Sequence, residues 1–177
     1  GTIDTSDGST FSEKLRISSE GYVTKTNHPS FHANGAASPE NSAGGLNDNL
    51  SQYMTVTLIN EGSHFKTSGS DVGKFVVPVD GNYFFWGQAL LRQIGNGIGS
   101  GELTFYKNNS NVSARALGYT YVTEGSSGGQ DHDNLHVSCI ISCSAGDKVH
   151  LQSLDTSSTV DWYWGQGIGN FGGFLIS

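Results

Sequence analysis

Along most of this chain apolar residues recur at every second position, the period of a strand with one buried face rather than of a helix. The clearest stretch is Leu135, Val137, Cys139, Ile141 and Cys143, which alternates with Ser138 and Ser142 and predicts an apolar face inward and a polar one outward. Short runs rich in β-branched and aromatic residues, broken by Gly, Asn, Asp and Ser, predict strands over 53–59, 74–79, 82–92, 102–107, 114–122, 135–142, 148–154 and 171–176. No helical period interrupts them, and no repeat has the spacing of a solenoid or propeller. The pattern predicts an all-β fold, a jelly-roll sandwich of about eight to ten antiparallel strands.

Residues 1–50 have a different texture, polar and without long apolar runs. Lys14 to Ser18 alternates, Ser19-Glu20-Gly21 turns, and Tyr22-Val23-Thr24 resumes, which predicts a small β-hairpin that cannot stand alone. The stretch from Gly35 to Asn49 is almost pure turn chemistry. The expected division is therefore a shaft or collar segment over 1–50 and a jelly-roll head over 51–177.

Composition narrows the function classes. A chain of 177 residues has room for one domain with a sizeable core. Charged residues make up only 14% and glycines number 25, which excludes a helical bundle with solvated faces. The net charge is −7, and the nine Lys and Arg never cluster, so no nucleic-acid partner is expected. No apolar stretch approaches ~20 residues, so no spanning helix or membrane insertion is expected. Gly1 opens a polar segment without a signal-peptide pattern, which reads as a processed or cloned fragment. Cys139 and Cys143, four apart on one strand, would lie about 13 Å apart. That exceeds the ~7 Å a disulfide spans, so they read as two buried thiols.

Four stretches carry a family resemblance. Asn60 precedes Phe65 by five positions, and Phe75 leads through Gly81 to Tyr83 and Phe85. These spacings resemble the signature of the globular head domain of complement component one-q, a relative of the tumour necrosis factor jelly roll. Ala145 to Gln152 resembles that family's Gly-Asp strand opening, and Phe171 to Ile176 its closing strand. Met54 stands where the family has Phe, Gly87 stands where it has an aromatic, and the gap from Phe65 to Phe75 is longer. The resemblance implies a homotrimer, with Tyr83, Phe85 and Phe174 in the core or at the threefold seam. Phe84 and Trp86 occupy the other face of the same strand, so both sides need cover. Phe11 to Thr24, with its Arg16-Ile17-x-x-x-Gly21-x-Val23 spacing, and Pro29 to Ala33 resemble bacteriophage tail-fibre and virion proteins.

The expected function is a structural and receptor-binding tip of a phage tail fibre or virion spike. It would sit extracellularly on the virion and attach to a host surface receptor, with polysaccharide as one class. The alternative is a secreted cellular head of the one-q type, acting as a lectin or signalling ligand. Asp161-Trp162-Tyr163-Trp164 with Gln166 suits a sugar ring, apolar C–H against aromatic rings and hydroxyls against polar groups. Packing of the Trp side chains in the core is the competing reading. Tyr119 and Tyr121 share a strand face and form a second candidate. His132 and His136 also share a side, and three copies could ring an axial ion, although a solvated strand entrance is the plainer reading. Calcium could draw on Asp155 and Asp161, but no loop has ligand spacing, so no cofactor is expected. There is no nucleophile elbow, HExxH pattern or phosphate loop, and no enzyme is expected.

Overall fold

The computed structural model describes residues 15–21, 23–25, 28–35, 48–93, 97–122, 132–155, 160–165 and 167–177. Thirteen strands follow in chain order: β1 (Leu15–Ile17), β2 (Val23–Lys25), β3 (Ser30–Asn34), β4 (Asp48–Asn49), β5 (Val56–Asn60), β6 (Phe75–Val76) and β7 (Gly81–Gln93), then β8 (Gly97–Lys107), β9 (Ser110–Val122), β10 (His132–Cys143), β11 (Lys148–Asp155), β12 (Val160–Tyr163) and β13 (Asn170–Leu175). β1 and β2 pair with each other as the expected hairpin, Arg16 opposite Thr24, and Gly21 takes the left-handed conformation (φ 85°) next to its turn.

The remaining strands form two antiparallel sheets. In the first the order is β10-β7-β13-β3-β5, with β12 also on β7; in the second it is β4-β11-β8-β9, with β6 also on β11. This is the jelly-roll sandwich the alternation predicts. Long β7 is the organising strand: β10 pairs along nearly all of it, while β13 and β12 share its other edge in succession. The closing strand β13 thus lies inside its sheet, between β7 and β3.

The expected boundary at residue 50 is corrected. β3 and β4 are strands of the sandwich, and Phe31 of β3 is 1% exposed at the centre of the core. Its ring stacks on Phe75 at 4.7 Å and Phe65 at 5.0 Å and meets Phe171 edge-on at 4.8 Å. The polar surroundings of Pro29 to Ala33 hid a strand whose alternate positions, Phe31 and Ala33, face inward. Several start points also shift: a 3-10 turn ends at Tyr53 and β5 begins at Val56 rather than 53, while β8 begins at Gly97 rather than 102, β9 at Ser110 rather than 114 and β10 at His132 rather than 135.

The inner layer fills by parity. From β7 come Tyr83, Phe85, Ala89 and Leu91; from β8, Leu103 and Phe105; from β10, Leu135, Val137 and Ile141; from β11, Val149 and Leu151. Gly87 shares that parity, and a Cβ there would press within 2.5 Å of Leu151 on the opposite sheet. An aromatic at 87 would therefore force the sheets apart. The Asn60–Phe65 spacing also gains a cause. The Asn60 amide donates to the Phe65 carbonyl and accepts from its N–H, both at 3.0 Å, clipping the loop so that Phe65 enters the core.

Candidate functional site

Alternation along β7 sends Phe84, Trp86, Gln88, Leu90 and Arg92 to the face of the sheet that points away from the core. Register extends that face across the neighbouring strands. One row runs Ile140, Phe84, Phe174 and Ser30; the next Ser138, Trp86, Gly172, His32 and Ile59; the third His136, Gln88, Asn170, Asn34 and Val56. Its apolar members are well exposed: Ile140 is 63%, Ile59 49%, Val56 41% and Phe174 40% accessible. Leu58, on the β5 edge, is 58% accessible. Phe84 and Trp86 are half-buried and lie near-parallel, 6.1 Å apart, with Phe174 tilted 5.6 Å from Phe84.

The paired glycines of β13 shape this surface. Successive residues of a strand face opposite ways. The Trp86 indole lies over Gly172, where any Cβ would collide with the ring, and a Cβ on Gly173 would come within 2.5 Å of Phe85 on the core side. Gly172-Gly173 thus admits one aromatic on each face. Beside Trp86 is a hollow of about 300 Å³, lined by Phe84, Trp86, Gln88, His136, Ser138 and Asn170 among others. Asn170 Nδ2 donates to Gln88 Oε1 at 3.2 Å across its floor.

A polar cluster closes one end of the face. Arg92 and Asp161 form an ion pair at 3.1 Å, with side chains 19% and 11% accessible. The Arg92 guanidinium lies 4.3 Å from the centre of the Tyr163 ring, and His132 meets that ring edge-on at 6.2 Å.

This arrangement corrects the sugar-stacking expectation at Asp161–Trp164. Trp162 is wholly enclosed, and Trp164 is 6% accessible with one ring face stacked on Tyr53 at 4.4 Å. Tyr163 is 8% accessible beneath Arg92, and Asp161 is committed to the same guanidinium. No aromatic there offers a free face. Gln166 lies outside the described residues. Tyr119 and Tyr121 pair in backbone register with Ser100 and Ile98 on β8, and their side chains also lie outside the described set. Tyr83 and Phe85 are core residues, whereas Phe174 is on the outer face. His132 and His136 are both exposed on β10, and among the described residues no group of three His, Cys, Asp or Glu is placed to hold a metal ion.

Titratable groups away from this face respond to burial. Desolvation pushes the thiols of Cys139 and Cys143 up to about 11, so they stay protonated and unreactive at neutral pH. Both are free, as their spacing requires. Burial holds His150 below the ordinary histidine value. Alternation flagged Phe84 and Trp86 as a second aromatic face. Ile140, Ile59, Val56 and Leu58 were missed, though the parity of Ile140 against Cys139 and Ile141 was a usable signal.

Compared with known proteins, the chain matches no family model and no curated protein. Among solved structures it is similar to the globular domain of a zebrafish complement 1qA protein. The identity is 19% and the TM-score 0.46, over 84% of this chain and 98% of that one. Among the described residues no helix is long and apolar enough to cross a membrane.

Proposed function

We propose that this chain is a non-enzymatic binding head that works as a homotrimer, displayed extracellularly at the tip of a phage tail fibre or virion spike. The supporting observation is the outer face of the β7 sheet. Phe84, Trp86, Phe174 and Ile140 form an apolar surface, and Ile59 and Val56 extend it beyond the polar β3 row of Ser30, His32 and Asn34; a lone domain leaves them wet. Soluble monomers seldom expose such a patch, and assembly is its ordinary explanation. The fibre setting is supported by the Arg16–Val23 hairpin, which precedes β3 directly.

In this reading three heads seal their β7 faces together. The β8 sheet and the connecting loops stay outward and meet a receptor, with host polysaccharide the class to test first. Threefold display then multiplies weak individual contacts through effective concentration. Light scattering at neutral pH tests the assembly, and a mass near three times 18.8 kDa is expected. Labelled heads incubated with host cells test attachment. A trimer that adsorbs to no cell surface and to no glycan of a broad array would refute the receptor role.

A further inference from the structure

The β5 strand is an unusual edge. Val56-Thr57-Leu58-Ile59-Asn60 carries no charge and no proline, and all but Asn60 are exposed. In the described sheet β5 pairs only with β3, so its outer backbone edge is open. Proteins blunt such edges with Lys, Pro, a cover or a bulge. β5 has only the bulge: His32 pairs with Ile59 and Ala33 with Thr57, which leaves Leu58 as the extra residue. The bulge makes Leu58 a knob, 58% accessible, at the rim of the sheet.

The hollow beside Trp86 lies on the same sheet, three interstrand steps away, or about 15 Å at ~4.8 Å per step. Phe84, Trp86 and Val137 give it apolar walls, and Gln88, Ser138, Asn170 and His136 a polar lining that holds no Asp, Glu, Lys or Arg. A knob and a socket at different places on one surface are what a heterologous contact requires, and such contacts close into rings when the rotation between copies permits.

We infer that Leu58 of one copy seats in the Trp86 hollow of the next, so that each head of the ring contributes a knob and receives one. This rests on the trimeric reading above and names its contact. The occupant is a second copy of this chain because Leu58 and the apolar-walled hollow lie on the same face of one sheet, and neither carries an Asp, Glu, Lys or Arg that would call for a charged partner. The insertion buries the exposed Leu58 and covers the accessible side of the Trp86 indole. It also brings the open β5 edge under the neighbouring head.

The Leu58→Cys/Ser138→Cys double variant tests the pairing, since Ser138 is exposed at the rim of the hollow. Mild oxidation at neutral pH should yield covalent dimers and trimers on a non-reducing gel, whereas either single variant and the parent, with its half-buried Cys139 and buried Cys143, should not. In parallel, Leu58→Asp should lower the solution mass threefold, to 18.8 kDa. Leu117→Asp, 57% accessible on the other sheet, should leave it unchanged. A trimeric parent whose double variant fails to cross-link, or whose Leu58→Asp variant remains trimeric, overturns this pairing while the trimer stands. A parent that is itself a single chain overturns the assembly, and the pairing with it.

Discussion

The outward faces of the two sheets are built on opposite rules. On the β7 sheet, aromatic and aliphatic side chains lie on the surface over glycines and amides. On the β8 sheet the outward positions are polar but closely packed: Thr104 is fully buried, His150 4% accessible, Gln152 5% and Glu102 7%. Hydrogen bonds tie these groups together, while Glu102 Oε1 and His150 Nδ1 stay buried without a partner among the described residues. Thr104 donates to the Ala114 carbonyl at 2.7 Å and Arg115 to Glu102 at 3.4 Å, while the His150 imidazole N–H donates to Gln152 Oε1 at 3.1 Å. Leu117 and Ile98 are isolated aliphatics there, which any protein surface tolerates. One face is bound together by its own polar contacts; the other leaves its aromatic and aliphatic side chains to water. Composition averaged over the chain conceals this, because the two faces nearly cancel.

The comparison can be broken most severely through the core that both faces share. Deleting residues 1–34 removes β3 and Phe31, and should leave the remainder unfolded by circular dichroism and by loss of a cooperative melt. Deleting residues 1–27 should leave a cooperative fold; equal behaviour of the two deletions would restore the boundary at residue 50. Next, Trp162→Ala empties a fully enclosed site and should cost about 3–5 kcal/mol in denaturant titration. Trp86→Ala should lower stability less and shift the solution mass instead.

Charge on the apolar face should act on assembly rather than folding. Phe174→Asp is expected to give a folded single chain, with a near-unchanged circular dichroism spectrum and a threefold lower mass. The polar face should respond to protons. Because burial depresses His150 in the folded state, the unfolded chain takes up a proton first as pH falls below about 6.5. Stability contributed above that pH should then decline toward pH 5, and His150→Gln should flatten the decline in urea midpoints measured over the same range. The smallest effect is expected from Arg115→Ala, whose side chain is 59% accessible. Its loss should change folding by no more than ~0.5–1 kcal/mol and leave the mass alone.

Much of this architecture was legible as parity. The alternation of Leu135 to Cys143 placed β10 with the correct face inward, and the Tyr83/Phe85 against Phe84/Trp86 split separated the core face of β7 from an outer aromatic one. Motif spacing singled out Asn60 and Phe65, which the structure joins by two hydrogen bonds. Two things were hidden, for physical reasons. β3 is five residues long with only two inward side chains, so nothing local distinguishes it from a linker; its membership is conferred by pairing with β13, far away in sequence. The fate of Trp162 and Trp164 was equally non-local. An aromatic run beside glycines reads alike whether it lines a site or a core, and only the closeness of Gly101 to the Trp162 ring, and of Gly35 and Gly169 to the Trp164 backbone, shows that the space is filled.

The account stands most directly on the mass of the intact chain in solution. Light scattering at neutral pH, over a wide range of protein concentration, should return three times 18.8 kDa throughout. A constant 18.8 kDa up to the highest soluble concentration would show that the Phe84–Trp86–Phe174 face remains uncovered in water, and would contradict it.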